Sequence, residues 1–133
     1  MRKKNAQQPF VSLPDAYIDE RGAIQPLVEE GITALQVISS EKNTVRANHY
    51  HKNDTHYMYV VSGAMRYYFR PVGCTKEPQC VDVHPGQMVF TPAMEEHAVH
   101  FLEDCIFLNI TTGKRDQSTY ESDIVRVNLF SLD

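Results

Sequence analysis

The chain has 133 residues, of which 42% are hydrophobic and 23% are charged, and its formal net charge at pH 7 is −4. This length fits one domain, and the composition is ordinary for a soluble globular protein. We expect neither nucleic acid nor a membrane as a partner, because the sequence offers no basic patch and no apolar stretch long enough to span a bilayer.

The N-terminal segment, MRKKNAQQPF, is basic, but no apolar run follows it, so it lacks the features of a secretory signal. We expect residues 1–20 to form an arm, either disordered or lying over a neighbouring subunit, and residues 21–133 to form the domain. The three cysteines are irregularly spaced and predict no disulfide framework. These features together predict a cytoplasmic protein.

The rest of the chain alternates between apolar and polar residues in short segments that turn residues separate. About eight short strands at this spacing are typical of an all-β sandwich or barrel. Ser62 and Gly63 predict a hairpin turn, and the polar segment KNDT predicts that the strands on either side of it pair. The predicted strands cover residues 32–40, 45–51, 56–63, 64–72, 80–86, 87–92, 97–102, 105–112 and 123–130.

Four of the six histidines occupy related positions on these strands. His49 and His51 are two residues apart, so both face the same side of their strand. His56 opens the next strand, and His97 opens a later one after a proline-containing turn. A barrel could bring the four imidazoles to one interior point. Because neutral imidazole is the commonest metal ligand, they predict a site for Zn, Fe, Ni or Cu.

Other polar residues fit structural roles. His84 precedes a proline in a turn, and His100 faces away from His97 on the same strand, so both are expected outside the site. Arg66 is expected to form a cross-strand ion pair with Asp82. The tyrosines of the same region are expected to contribute to sheet packing and a dimer face.

The stretch HYHKNDTHYMYVVSG resembles the first sequence motif of the cupin superfamily. His49 and His51 fall on its histidine pair and Gly63 on its closing glycine, whereas His56 stands where the family has glutamate. The stretch GQMVFTPAMEEHAVHF is similar to the second motif, and His97 falls on the motif histidine. The resemblance implies a single-domain cupin double-stranded β-helix, that is, a jelly-roll barrel.

The same resemblance implies that His49, His51, His56 and His97 are the ligands of a divalent transition metal. Because His56 replaces the glutamate of the motif, the site loses an anionic ligand and has only nitrogen ligands. The metal is then open among Zn, Fe, Ni and Cu, and a site without metal is open as well.

A second resemblance links DERGAIQPL, VRANHYH and YESDIVR to the nucleotide-sugar cupins, which include dTDP-sugar epimerases and ketoisomerases. In those enzymes a similar strand carries a catalytic histidine, usually without a metal. The resemblance implies that His49 is a general base with His51 as its neighbour, and that the base abstracts a proton next to a sugar ketone. Ala47 replaces the glycine that follows the arginine in the family's strand.

Three functions remain open at this stage. The first is an isomerase or epimerase that acts on a small sugar or sugar nucleotide. The second is a dioxygenase or lyase that uses Fe, Ni or Cu on a small organic substrate. The third is a non-catalytic cupin that binds a ligand. Each has a small molecule as its partner, and the exposed aromatic strands predict a homodimer.

Overall fold

The computed structural model describes residues 8–112 and 123–132, and strands dominate those ranges. No helix within them is long and apolar enough to cross a membrane. The strands are β1 (Tyr17–Asp19), β2 (Gly22–Ile24), β3 (Ala34–Ser40), β4 (Val45–His51), β5 (His56–Ser62), β6 (Met65–Pro71), β7 (Gln79–Val83), β8 (Met88–Thr91), β9 (Glu95–Phe101), β10 (Cys105–Thr111) and β11 (Ile124–Arg126).

Two antiparallel sheets form the barrel. One has the strand order β3-β10-β5-β8 and the other the order β11-β4-β9-β6-β7, while β1 and β2 form a separate hairpin. From β3 onward, successive strands lie in opposite sheets except for β6 and β7. This alternation between two facing sheets confirms the predicted jelly-roll architecture.

Two of the predicted strand pairings are wrong. The chain does not form a hairpin at Gly63, because β5 and β6 lie in opposite sheets. Gly63 has a φ of +81°, and the backbone carbonyl of Asp104 lies where a β-carbon would stand, so this turn carries the chain between sheets. β4 and β5, the strands on either side of the segment KNDT, also lie in opposite sheets and do not pair.

The principal core lies between the two sheets. The buried residues of this core come from both sheets, as the alternating pattern predicts. Cys105 belongs to this core, and all three cysteines are free thiols, as predicted. The fully buried side chains of this core include Met65, Tyr67, Val83, Val89 and Phe101.

A second apolar cluster covers the outer face of the four-stranded sheet. Tyr57 points away from the barrel interior but is only 2% exposed, because Val11 and its neighbours lie over it. Val11 donates a backbone hydrogen bond to Met88, and Phe90 donates one to Pro9. The predicted arm therefore contacts the barrel from residue 9 onward, while residues 1–7 lie outside the described part of the chain. A domain boundary at residue 20 stays a prediction.

A bulge in β4 sets the direction of the two histidines that follow it. Ala47 and Asn48 have φ values of 72° and 55°, and the pairing with β9 shifts register between Ala47 and His49. Left-handed backbone at Ala47 is the conformation that glycine adopts most easily. After the bulge, His49 stands opposite His97 on the neighbouring strand.

Candidate functional site

A cavity of about 250 Å³ lies inside the barrel, with side chains from both sheets in its wall. Its apolar wall includes Met58, Val99 and Phe107, and its polar wall includes Arg46. Gln36 and Asn109 also line it, together with a group that we call the histidine cluster, which consists of His49, His51, His56 and His97.

The rings of the histidine cluster are in mutual contact. The centroid of the His51 ring lies 4.8 Å from that of His49, 4.3 Å from that of His56 and 5.7 Å from that of His97. The rings of His49 and His97 are 4.7 Å apart. His51, His56 and His97 are buried, and His49 is partly exposed to the cavity.

The structure thus brings together all four histidines that the sequence singles out, and their chemical roles stay predictions. It places the other two outside the cluster, because His84 is exposed and His100 is stacked on Phe130 at the surface of β9. Arg66 and Asp82 form the predicted ion pair, with Nε and Oδ1 2.7 Å apart.

His51 is held by a buried carboxylate that sequence reasoning missed. Its Nδ1 lies 3.1 Å from Oδ2 of Asp123, and both residues are almost completely buried. Burial alone would raise the pKa of Asp123, but hydrogen bonds from the Asn53 amide, from His51 and from the Asp54 amide lower it. An ionised carboxylate only accepts, so Nδ1 of His51 carries the proton, and in the neutral ring Nε2 keeps its lone pair.

His97 adopts the same tautomer for a different reason. Its Nδ1 lies 3.2 Å from the backbone carbonyl oxygen of Glu95, which can only accept a hydrogen bond. Burial, followed by the nearby His49, lowers the pKa of His97 well below its usual value. The ring is therefore neutral, and its Nε2 lone pair is available to a proton or a metal ion.

His49 is also a weaker base than a free imidazole. Burial, followed by the positive charge that His51 and Arg126 can carry, lowers its pKa from 6.5 to about 4. Its Nδ1 is buried and has no hydrogen-bond partner among the described residues. This polar atom is therefore suited to a ligand that the cavity would hold.

Two overlapping groups of side chains have the spacing of metal ligands. His49, His51 and His97 form one group, and His51, Asp54 and His56 form the other, with the donor atoms in each lying within 4.8 Å of one another. Asp54 was also missed by sequence reasoning, because it lies in the polar segment that predicts a solvent-exposed turn.

A model of the cupin domain family matches residues 36–111, which include most of β3, all of β4 to β10 and the whole histidine cluster. The comparison with curated proteins gives no match.

Several solved structures have a similar fold. A variant of the 3,4-ketoisomerase QdtA from Thermoanaerobacterium thermosaccharolyticum, in complex with TDP-4-keto-6-deoxyglucose, is 16% identical, with a TM-score of 0.67 over 89% of this chain and 83% of that one. The 3'-monoepimerase ChmJ from Streptomyces bikiniensis, in complex with dTDP-quinovose, is 16% identical, with a TM-score of 0.71 over 88% and 68%. A 3,4-ketoisomerase from Helicobacter canadensis is 16% identical, with a TM-score of 0.69 over 89% and 86%. At this level of identity the likeness concerns the fold.

Proposed function

The chain belongs to the cupin domain family, and we propose that it is an isomerase or epimerase that moves a proton on the keto sugar of a sugar nucleotide. The observation that carries the proposal is the buried pair of His51 and Asp123, whose Nδ1 and Oδ2 atoms are 3.1 Å apart. The ligands of the similar QdtA and ChmJ structures are both nucleotide sugars, and they support this substrate class.

The cavity limits how the substrate binds. Its volume of about 250 Å³ is below the range of roughly 300–1,000 Å³ that pockets for drug-sized ligands occupy. We therefore expect the sugar to enter the barrel and the nucleotide to lie outside it. Arg46 in the cavity wall would then lie close to oxygen atoms that gain negative charge during the reaction.

His51 is suited to act as the base. Its Nε2 would accept a proton from the carbon next to the sugar ketone, and the two electrons of that C–H bond would move to form an enediolate. The imidazolium that forms is stabilised by the ionised Asp123, which also fixes the ring. Return of this proton to the former carbonyl carbon, with transfer of the hydroxyl proton from the neighbouring oxygen to the former carbonyl oxygen, completes an isomerisation. Delivery of a proton by a second donor to the opposite face of the original carbon completes an epimerisation.

The proposal gives His51 the role that sequence resemblance gives to His49. His49 has a pKa of about 4 and is therefore a weaker base. No carboxylate among the described residues hydrogen-bonds its Nδ1. His49 would instead contact the substrate beside the base.

Proton exchange tests this function directly. The full chain, treated with chelator, is incubated in D₂O with TDP-4-keto-6-deoxyglucose, and NMR follows deuterium incorporation next to the ketone. We expect His51→Asn to slow exchange by about 100-fold or more, because general base catalysis contributes at least this much. His84→Asn makes the same chemical change at an exposed position and should leave the rate unchanged. Exchange in His51→Asn at the wild-type rate would refute the proposal.

The geometry also favours a second candidate, a metal-dependent dioxygenase or lyase. The neutral tautomers of His51 and His97 present Nε2 lone pairs, and together with His49 they form a three-imidazole group that fits a transition metal. A bound Fe, Ni or Cu ion would supply Lewis-acid or redox chemistry to a substrate in the cavity. The chain's own residues would hold the ligand rings in place, through Asp123 for His51 and the Glu95 carbonyl for His97.

Metal content separates the two candidates. Elemental analysis of the purified protein should find a near-stoichiometric transition metal if the second candidate is right. Under the first candidate, prolonged treatment with chelator leaves the rate of deuterium exchange unchanged.

A further inference from the structure

Asp54 is a buried carboxylate next to two imidazoles, and the proton-transfer mechanism does not use it. Its neighbours Lys52 and Asn53 are exposed, but Asp54 itself is only 2% exposed. Its carboxylate lies within 4.8 Å of ring nitrogens of His51 and His56, both of which are buried. We propose that Asp54, His51 and His56 form a binding site for a divalent transition metal, with Asp54 as its anionic ligand.

The segment that carries Asp54 is fixed from both sides. The backbone amides of Lys52 and Asn53 donate to the backbone and side-chain oxygens of Asp123, at 2.9 and 2.7 Å. At the other end, the Thr55 backbone carbonyl accepts from the Thr112 amide at 3.0 Å, and the two threonine hydroxyls are 2.7 Å apart. These bonds hold the turn against the barrel, so the inward position of Asp54 is built into the fold.

Burial makes an ionised carboxylate costly unless positive charge compensates it. A divalent cation would supply that charge while also accepting the lone pairs of the two imidazoles. Two histidines and one carboxylate are the donor set of many mononuclear Fe(II) sites, and the set also suits Zn and Co. Because His51 already donates its Nδ1 proton to Asp123, it would bind the metal through Nε2, with the carboxylate orienting the ring. A bound ion would then occupy the lone pair of the proposed base, so the metal-bound chain would not carry out the proton transfer.

The three side chains come from a short stretch of the chain. Asp54 and His56 lie two residues apart, and the fold brings both of them to His51, at the end of the preceding strand. This ligand set differs from the three-imidazole group, since the two share only His51.

Metal titration of the full chain tests the proposal without any turnover assay. The chelator-treated protein is titrated with Co²⁺, whose visible absorption reports coordination, and with Zn²⁺ by calorimetry. We expect Asp54→Asn, which keeps the shape of the side chain and removes its charge, to weaken binding by about tenfold or more. Asp82→Asn makes the same change at the surface and should bind both ions like the wild type.

His56→Gln provides a second variant if Asp54→Asn does not fold, and it should weaken binding in the same way. Circular dichroism and thermal melting establish that each variant is folded. Wild-type affinity in a folded Asp54→Asn overturns the proposal, and a loss confined to His97→Gln would assign the metal to the three-imidazole group instead. A wild-type chain that binds neither ion also overturns it. The proposed isomerase would survive either result, because its proton exchange is measured in the presence of chelator.

Discussion

At the scale of single residues, the proposed proton transfer depends on how Asp123 holds His51. The carboxylate accepts from the imidazole Nδ1 and from the Asn53 amide, so its orientation is fixed from two directions. Asp123→Asn would preserve much of this packing while removing the negative charge that stabilises the imidazolium. We expect the rate of deuterium exchange to fall by about 100-fold or more with little change in KM, because the side chain supports the base and does not touch the substrate.

Exchange kinetics at varied substrate concentration measure this effect. Asp19→Asn is a suitable control, because it removes a carboxylate that is paired with Arg21 at the surface. An Asp123→Asn variant that keeps both the wild-type rate and its pH profile would show that the carboxylate has no part in proton transfer.

The sequence predicts the histidines of the site much better than its carboxylates. His49 and His51 share a strand face, and motif spacing adds His97, so local rules are enough to place them. Asp123 follows its partner His51 by 72 positions, and only the folded sheet shows that β11 pairs with β4. Asp54 lies in a polar turn, and its inward direction depends on amide bonds to Asp123 that no local pattern indicates.

At the scale of secondary structure elements, periodicity predicts the strands better than their partners. The range 45–51 is found unchanged as β4, and β5 and β6 each end within a residue or two of the predicted ranges. Alternation tells which residues share a face, but both sheets of a sandwich show the same alternation. The assignment of β5 and β6 to opposite sheets therefore had to come from the structure, as did the three-residue strands β1 and β2.

The crossing at Gly63 provides a test of this topology. A methyl group there would collide with the Asp104 carbonyl, which belongs to the turn between β9 and β10, and the backbone has a φ of +81°. We expect Gly63→Ala to lower the free energy of unfolding by about 2 kcal/mol or more, since overpacking adds to the cost of left-handed backbone. Urea denaturation measures the change.

Gly73→Ala separates the two contributions. Gly73 has a φ of +89°, but a β-carbon there would meet no atom within 4 Å, so only the backbone cost of about 1–2 kcal/mol applies. Equal destabilisation by the two substitutions would mean that the close approach of Asp104 does not constrain the crossing.

At the scale of the whole molecule, apolar residues of the same chain cover part of the outer face of the four-stranded sheet. Val11, Leu13, Leu27 and Val28 pack against residues of this face such as Tyr57 and Ile110. By contrast, Leu35 and Val37 on the edge strand β3 remain 60% and 71% exposed. Exposed apolar residues on an edge strand are typical of surfaces that associate. The homodimer and the cytoplasmic location both stay predictions.

The fold keeps His49 and His97 of the histidine cluster uncharged near neutral pH, and this couples stability to pH. Folding lowers the pKa of His49 from 6.5 to about 4 and lowers that of His97 as well, in both cases mainly through burial. Between pH 6.5 and about pH 4, the unfolded chain therefore binds protons that the folded chain does not, and this favours unfolding. Asp123 does not change the direction of this pH dependence. Its pKa is lowered from 3.8, so its own contribution to stability changes only in more acidic solution.

We therefore expect the chelator-treated protein to be most stable above about pH 6.5 and to lose stability as the pH falls toward about 4. Thermal unfolding across this range should show a falling midpoint for the wild type and a shallower fall for His49→Asn, which removes one of the buried bases. His84→Asn, at an exposed position, should retain the wild-type slope. Two results would contradict this expectation: a midpoint that rises on acidification, or an unchanged slope in His49→Asn. Either would mean that the cluster takes up its protons without unfolding. The imidazoles would then share charge within the native barrel.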